Sequence, residues 1–249
     1  MNYSNGTQVE QRHSDRRRFL RSVGATAVVG SVGGTLGSRL AYAANTMTKA
    51  QRDNLTPDQI IALMKRGNER FLKGGETTPD YLAQQRETAN GQHPAAVILS
   101  CIDSRAPAEI VMDLGIGDIF NSRVAGNISN EDILGSMEFA CKAAGAKVVL
   151  VMGHTSCGAV KGAIDGVQLG NLTGLLAKIR PAVEATDFKG DRSSKNLAFV
   201  DAVAAKNVEL TIKSIRANSP VLCDLESARA IKIVGAIYNL ETGRVDFRG

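Results

Sequence analysis

Two runs of residues constrain this chain more than any other feature. Residues 94–101 (PAAVILSC) and 147–154 (KVVLVMGH) are continuous apolar stretches of strand length, with no polar residue at alternate positions. A strand that is apolar on both sides belongs in a parallel sheet covered on both faces. Residues 117–127 (GDIFNSRVAGN) read as a further strand ending in a glycine–asparagine turn. Helical patterns separate these strands. Residues 56–75 open with a capping Thr56 and with Pro57 at the first helical position, and residues 81–89 suit a second short helix. Residues 130–146 begin with Asn130 and two acids, a favourable helix start. The apolar stripe of Ile133, Leu134, Met137, Ala140 and Cys141 would face the sheet. A helix is expected from about 157 to 165, followed by two long helical patterns near 171–186 and 194–217. The last residues (AIKIVGAIYNLETGRVDF) read as a strand, a Glu-Thr-Gly turn and a short partner strand. The alternation predicts an α/β fold, a mostly parallel β-sheet flanked by helices with a short antiparallel strand at the C-terminus.

Residues 1–43 read differently. A basic start, a Gly/Ala/Val-rich middle and an Ala-x-Ala end at Ala41–Ala43 have the three-part layout of an export signal. Arg16-Arg17-Arg18-Phe19-Leu20-Arg21 resembles the twin-arginine signature, with Asp15 at a position usually filled otherwise. The expectation is a precursor carried by the twin-arginine export machinery and cleaved after Ala43, leaving residues 44–249 as one periplasmic domain. The segment holds six arginines against Glu10 and Asp15, so +4 of the chain's +5 leaves with it. A remaining charge of +1 over 206 residues gives nucleic-acid binding no support. No segment is long and apolar enough for a stable membrane anchor, and about 200 residues suit one ordinary core.

Four cysteines remain: Cys101, Cys141, Cys157 and Cys223. Cys101 ends one apolar run, and His154 with Cys157 ends another. Open parallel sheets gather ligands beyond the carboxyl ends of their strands, so these side chains are candidates to meet. Two thiolates and an imidazole suit zinc, with a fourth position left for solvent. Cys157, near a helix N-terminus, would be favoured as thiolate, and Gly153 and Gly158 would allow a sharp turn there. Taken alone, the pattern is also compatible with inert buried cysteines or a Cys101–Cys157 disulfide. The CIDSR stretch adds a reason to prefer the metal. Residues two apart on extended chain share a side, so Cys101, Asp103 and Arg105 would converge. A carboxylate kept ionised by arginine accepts a hydrogen bond but donates none. Beside zinc, Asp103 would favour hydroxide over a group that has no hydrogen to offer. Cys141 and Cys223 have no second ligand at suitable spacing and read as structural.

At these residues the chain resembles the β-class carbonic anhydrases. Cys101-Ile-Asp103-Ser-Arg105 and His154-Thr-Ser-Cys157 match the family's paired motifs. RGNERF, QHPAAVILSCIDSRAPAE, GDIFNSRVAGN, GHTSCGAVKGAI, LLAKIRPAV and SPVL follow in order from about Gly67 to Phe247. The resemblance implies a zinc lyase, with one Zn²⁺ per chain held by Cys101, His154 and Cys157, and with Asp103 as a conditional fourth ligand that displaces water in a closed state. Carbon dioxide would be attacked by zinc-bound hydroxide to give bicarbonate and a proton, with Asp103 and Arg105 as catalytic residues. Gln92 would bind substrate, typically across a dimer interface, and Phe120 and Phe139 would form the apolar wall. Phe139 stands where the family has a tyrosine, so the hydroxyl is lost. Arg123 matches an arginine of a bicarbonate-regulated branch. The tryptophan that accompanies it there is replaced by Ile98, and the chain has no tryptophan. A homodimer or homotetramer is expected. His93 is the one imidazole left as a proton shuttle, because His13 lies in the signal. Two other readings remain. The same scaffold would serve a CO₂-like molecule such as carbonyl sulfide or carbon disulfide, or the chain would be a non-catalytic zinc or thiol protein.

Overall fold

The computed structural model describes residues 46–74 and 79–248. The export-signal reading of residues 1–43 lies outside them. Five strands form one sheet in the order β2-β1-β3-β4-β5: β1 (Ala96–Ser100), β2 (Ile119–Arg123), β3 (Val148–His154), β4 (Lys232–Tyr238) and β5 (Val245–Arg248). The first four run parallel, and β5 returns antiparallel to β4. Every residue of β1 and β3 is buried, whereas the edge strand β2 is half-buried or exposed throughout. The unbroken apolar runs thus mark the two strands at the centre of the parallel part of the sheet.

Successive side chains of these strands point to opposite faces. Ile98, Leu150, Met152 and Ala236 join Ile60 and Met64 on one side. Val97, Leu99, Val149, Val151 and Ile233 meet Val208, Ile215 and Leu222 on the other. Each of the Val, Leu, Ile and Met side chains among them is worth roughly 1.5–3 kcal/mol on burial.

Eight helices that precede or follow these strands carry the layers: α1 (Lys49–Asn54), α2 (Pro57–Leu72), α3 (Tyr81–Thr88), α4 (Ala108–Val111), α5 (Glu131–Glu138), α6 (Gly158–Ile164), α7 (Gly170–Ala177) and α8 (Arg180–Ala185). Two more complete the described set, α9 (Leu197–Asn218) and α10 (Pro220–Ser227). Helix α2 starts as expected, with Thr56 and Gln59 capping each other's amides and Pro57 behind them. It also crosses the backbone closely: a Cβ on Gly67 would lie 1.9 Å from the Met112 carbonyl oxygen. Asn68, next along, is buried. It donates to the carbonyls of Val111 and Gly243 and accepts from the Val245 amide, so the Gly-Asn pair stitches three segments together.

Several expectations are corrected. The pattern at 171–186 is two helices, α7 and α8, because Pro181 has no amide to continue the first and sits in the opening turn of the second. Residues 220–227, for which no helix was expected, form helix α10, capped by Ser219 with Pro220 behind it. Helix α1 occupies the polar stretch ahead of Thr56, with its own Thr48–Gln51 capping box. After α5 the chain widens into a π-turn (Phe139–Ala143), which buries Ala140 and Cys141 and leaves Phe139 57% exposed. No helix among the described residues is long and apolar enough to cross a membrane.

Candidate metal centre

Cys101 follows β1 directly, His154 is the last residue of β3, and Cys157 is the N-cap of α6. Neighbouring parallel strands, paired Ser100 with Met152, therefore bring both turns out at the carboxyl end of the sheet. The two sulfurs lie 4.0 Å apart, in hydrogen-bond contact and not joined as a disulfide. Both sulfurs and a ring nitrogen of His154 fall within 4.8 Å of one another, and all three residues are buried. Tetrahedral zinc, with bonds of about 2.3 Å to sulfur and about 2.0 Å to nitrogen, requires separations of roughly 3.5–3.8 Å, so small adjustments close the set on one ion.

The imidazole is poised for this. His154 Nδ1 lies 2.9 Å from the Thr155 carbonyl oxygen. A carbonyl only accepts, so Nδ1 carries the proton and Nε2 presents its lone pair. Nε2 is buried and has no hydrogen-bond partner, an orphan that a metal ion would satisfy. The sulfurs share their first deprotonation. A hydrogen bond from Cys157, aided by the Gly126 amide, pushes Cys101 down in spite of burial. The same contact, together with burial and the Cys101 charge, pushes Cys157 up. Burial works against a charged His154, but the neighbouring Cys101 outweighs it and raises the group, so without an ion the ring is drawn toward protonation and metal binding would displace that proton from Nε2.

Asp103 completes one side of the site. Its Oδ1 accepts the Arg105 amide at 3.0 Å and Arg105 Nε at 2.9 Å, and its Oδ2 accepts Nη2 at 2.8 Å. These bonds, Arg105 first, hold the carboxyl well below the usual carboxylate range. Oδ2 also lies 3.8 Å from His154 Nε2, facing the ligand cluster. Contrary to the extended geometry expected through this stretch, the strand ends at Ser100. Arg105 instead folds back in a turn closed by Asp103, leaving its side chain 60% exposed.

Other side chains fall elsewhere. Gln92 is exposed and His93 half-buried, both ahead of β1 at the end of the sheet opposite the cysteines. Phe120 on β2 and Phe139 stack edge to face at 6.0 Å. They line a groove of about 590 Å³ with Ser122, Glu131 and Gly135, and none of the three ligands borders it. Within one chain, then, Gln92, Phe120 and Phe139 stand apart from the ligands. Arg123 is engaged with backbone: Nε donates to the Cys101 carbonyl at 2.9 Å and Nη2 to that of Asp103 at 2.6 Å. It braces the Cys-x-Asp segment. The glycine expectation is also corrected. The left-handed residue in the ligand turn is Ser156, at φ 54°. Gly153 lies inside β3, where a Cβ would come 2.8 Å from Val208 Cγ2, and Gly158 has open space around it. Sequence reading missed the Gly126 amide, 3.3 Å from Cys101 Sγ, and Asp201, which accepts the Ser156 amide at 2.7 Å. Asp201 carries no local sequence signal, because its partner lies 45 residues away.

Comparison with known proteins agrees with this geometry. The carbonic anhydrase family model matches residues 96–245. Carbonic anhydrase 2 of Mycobacterium tuberculosis is 34% identical over 201 residues, covering 78% of this chain and 94% of its own. Among solved structures, the β-carbonic anhydrase CafA of Aspergillus fumigatus is 25% identical with a TM-score of 0.60, covering 77% of this chain and 91% of its own. One of two tetrameric β-carbonic anhydrases from Sordaria macrospora is also 25% identical, with a TM-score of 0.59, covering 68% of this chain and 90% of its own. With its buried Cys-His-Cys cluster at the carboxyl end of a parallel sheet, the chain belongs to the β-class carbonic anhydrases, a family of zinc enzymes.

Proposed function

We propose that this chain catalyses the reversible hydration of carbon dioxide to bicarbonate and a proton. The observation that carries the reading is the meeting of Cys101 Sγ, His154 Nε2 and Cys157 Sγ beside an Asp103 held ionised by Arg105. Zinc, when bound by these three ligands, supplies a Lewis acid that lowers the pKa of water enough to give a nucleophile near neutral pH. The chain's own groups do the selecting. Asp103 Oδ2 is an acceptor only, so it orients a nucleophile that still bears hydrogen and disfavours occupants that bear none. Arg105 holds both carboxylate oxygens and keeps Asp103 from becoming a fourth ligand itself. Arg123 fixes the backbone on which Asp103 rides.

Gln92, Phe120 and Phe139 act in the assembled enzyme. We assign Gln92 a substrate hydrogen bond offered across a dimer interface, and the two phenylalanines the apolar wall. The unpaired outer edge of β2 and the half-exposed Phe139 beside it support a homodimer or homotetramer. We further propose that the enzyme is periplasmic and is exported already folded, with zinc in place. The twin-arginine-like Arg16-Arg17 and the Ala-x-Ala at 41–43 support this placement.

The test is stopped-flow CO₂ hydration by residues 44–249, run beside sulfide release from carbonyl sulfide and carbon disulfide. Rapid hydration with no sulfide is the expected result. Sulfide release without hydration would assign the scaffold to the CO₂-like substrates, and neither activity in a zinc-loaded protein would contradict an enzymatic role.

A further inference from the structure

Helix α9 touches both halves of the ligand set. Near its start, Asp201 Oδ1 accepts the Ser156 amide at 2.7 Å. Six residues on, the buried Asn207 donates to the Gly126 carbonyl at 2.7 Å, and the Gly126 amide points at Cys101 Sγ. The helix lies hard against β3 one residue beyond Asn207, since Gly153 has no room for a side chain beside Val208. Ser156 stands between the ligands His154 and Cys157 with φ at 54°, a region that residues other than glycine rarely occupy and hold only when surrounding contacts impose it. Two contacts do so here. Asp201 takes its amide from α9, and Lys161 on α6 donates to its hydroxyl at 2.9 Å.

We infer that Asp201 is a positioning residue for the metal centre: by accepting the Ser156 amide it holds the His154–Cys157 turn in the left-handed bend that aims Cys157 Sγ at the ion. With the acceptor removed, Ser156 relaxes toward ordinary backbone angles and Cys157 turns with it. Groups that orient metal ligands in this way typically change metal affinity by about 10–100-fold when lost. Glycine at 156 takes the same bend without strain, so the defect has a predictable remedy within the turn.

The experiment compares zinc release to a colorimetric chelator, and the visible spectrum of the cobalt-substituted protein, in wild type, Asp201→Ala, Asp201→Asn and the double variant Asp201→Ala/Ser156→Gly. Zinc should leave Asp201→Ala about 10-fold faster or more, with shifted cobalt bands. Asp201→Asn keeps an oxygen for the amide and should stay near wild type, and the double variant should recover much of the loss. Wild-type retention and spectrum in Asp201→Ala would overturn the assignment. So would a double variant no better than Asp201→Ala, or a loss that merely tracks an equal fall in the stability of the metal-free protein. The inference rests on the zinc reading of the site, and the two fail separately. A wild-type protein that holds no zinc refutes that reading, whereas a zinc-loaded wild type with an unaffected Asp201→Ala refutes only the role of Asp201.

Discussion

In the proposed reaction Asp103 is the residue on which the chemistry turns, and its charge is held chiefly by one neighbour, Arg105. Arg105 lowers its pKa, so the pair's contribution is fully present above the ordinary carboxylate value near 3.9 and is lost only as pH falls through the lower folded value. Asp103 therefore stays charged from pH 5 to 9, and activity changes in that window arise elsewhere. Arg105→Ala should keep one zinc per chain while lowering CO₂ hydration by about 100-fold or more, because the freed carboxylate takes the fourth position. Near-full activity in that variant would refute the gatekeeping role. The thiols give a second check. Cys141 is pushed up to about 12 by burial, and Cys101 and Cys157 are the proposed metal ligands, so the native zinc protein should label quickly at Cys223 alone. Denaturation with a chelator should then expose all four. A total of two would reveal a Cys101–Cys157 disulfide. The clustering of Cys101, His154 and Cys157 was legible in the sequence because each lies beside a strand end within a short motif. Asp201 and Asn207 were not, because their partners lie 45 and 81 residues away. Gly153 was misread for a related reason, since its lack of a side chain serves packing against a helix that folds back from much later in the chain.

At the level of elements, strands were easier to read than helices. Central strands are buried on both faces and show it as unbroken apolar runs. Helices α7 and α8 share one continuous pattern, and only the proline's missing amide divides them. Helices α1, α4 and α10 are four to eight residues long, too short for a periodicity to emerge. Helix α2 yields a prediction of unusual sign. Replacing glycine by alanine within a helix ordinarily stabilises by up to about 1 kcal/mol. At Gly67 the added carbon would press on the Met112 carbonyl oxygen, so Gly67→Ala should destabilise by about 2 kcal/mol in chemical denaturation. A more stable variant would show that α2 does not approach that backbone so closely.

For the molecule as a whole, composition excluded more than it specified. A net charge near +1 over residues 44–249 set aside nucleic acid, and strand–helix alternation gave the α/β class, but subunit number depends on surfaces that no local pattern encodes. Gln92 sits at the far end of the sheet from its own cysteines, so its proposed role requires a second chain. Phe139→Glu places a charge on an exposed ring beside the unpaired edge of β2 and next to Glu131 and Asp132. In sedimentation it should shift a dimeric or larger wild type toward monomer, with zinc kept and hydration reduced. A wild type that is monomeric and fully active would remove the partner from the account. The central claim is that one ion is gripped by two sulfurs and one nitrogen with a place left for solvent. X-ray absorption at the zinc edge of the purified protein reads this directly. It should show two sulfurs at about 2.3 Å and two lighter atoms at about 2.0 Å. A zinc-free protein, or a closed shell of four sulfurs, would contradict it.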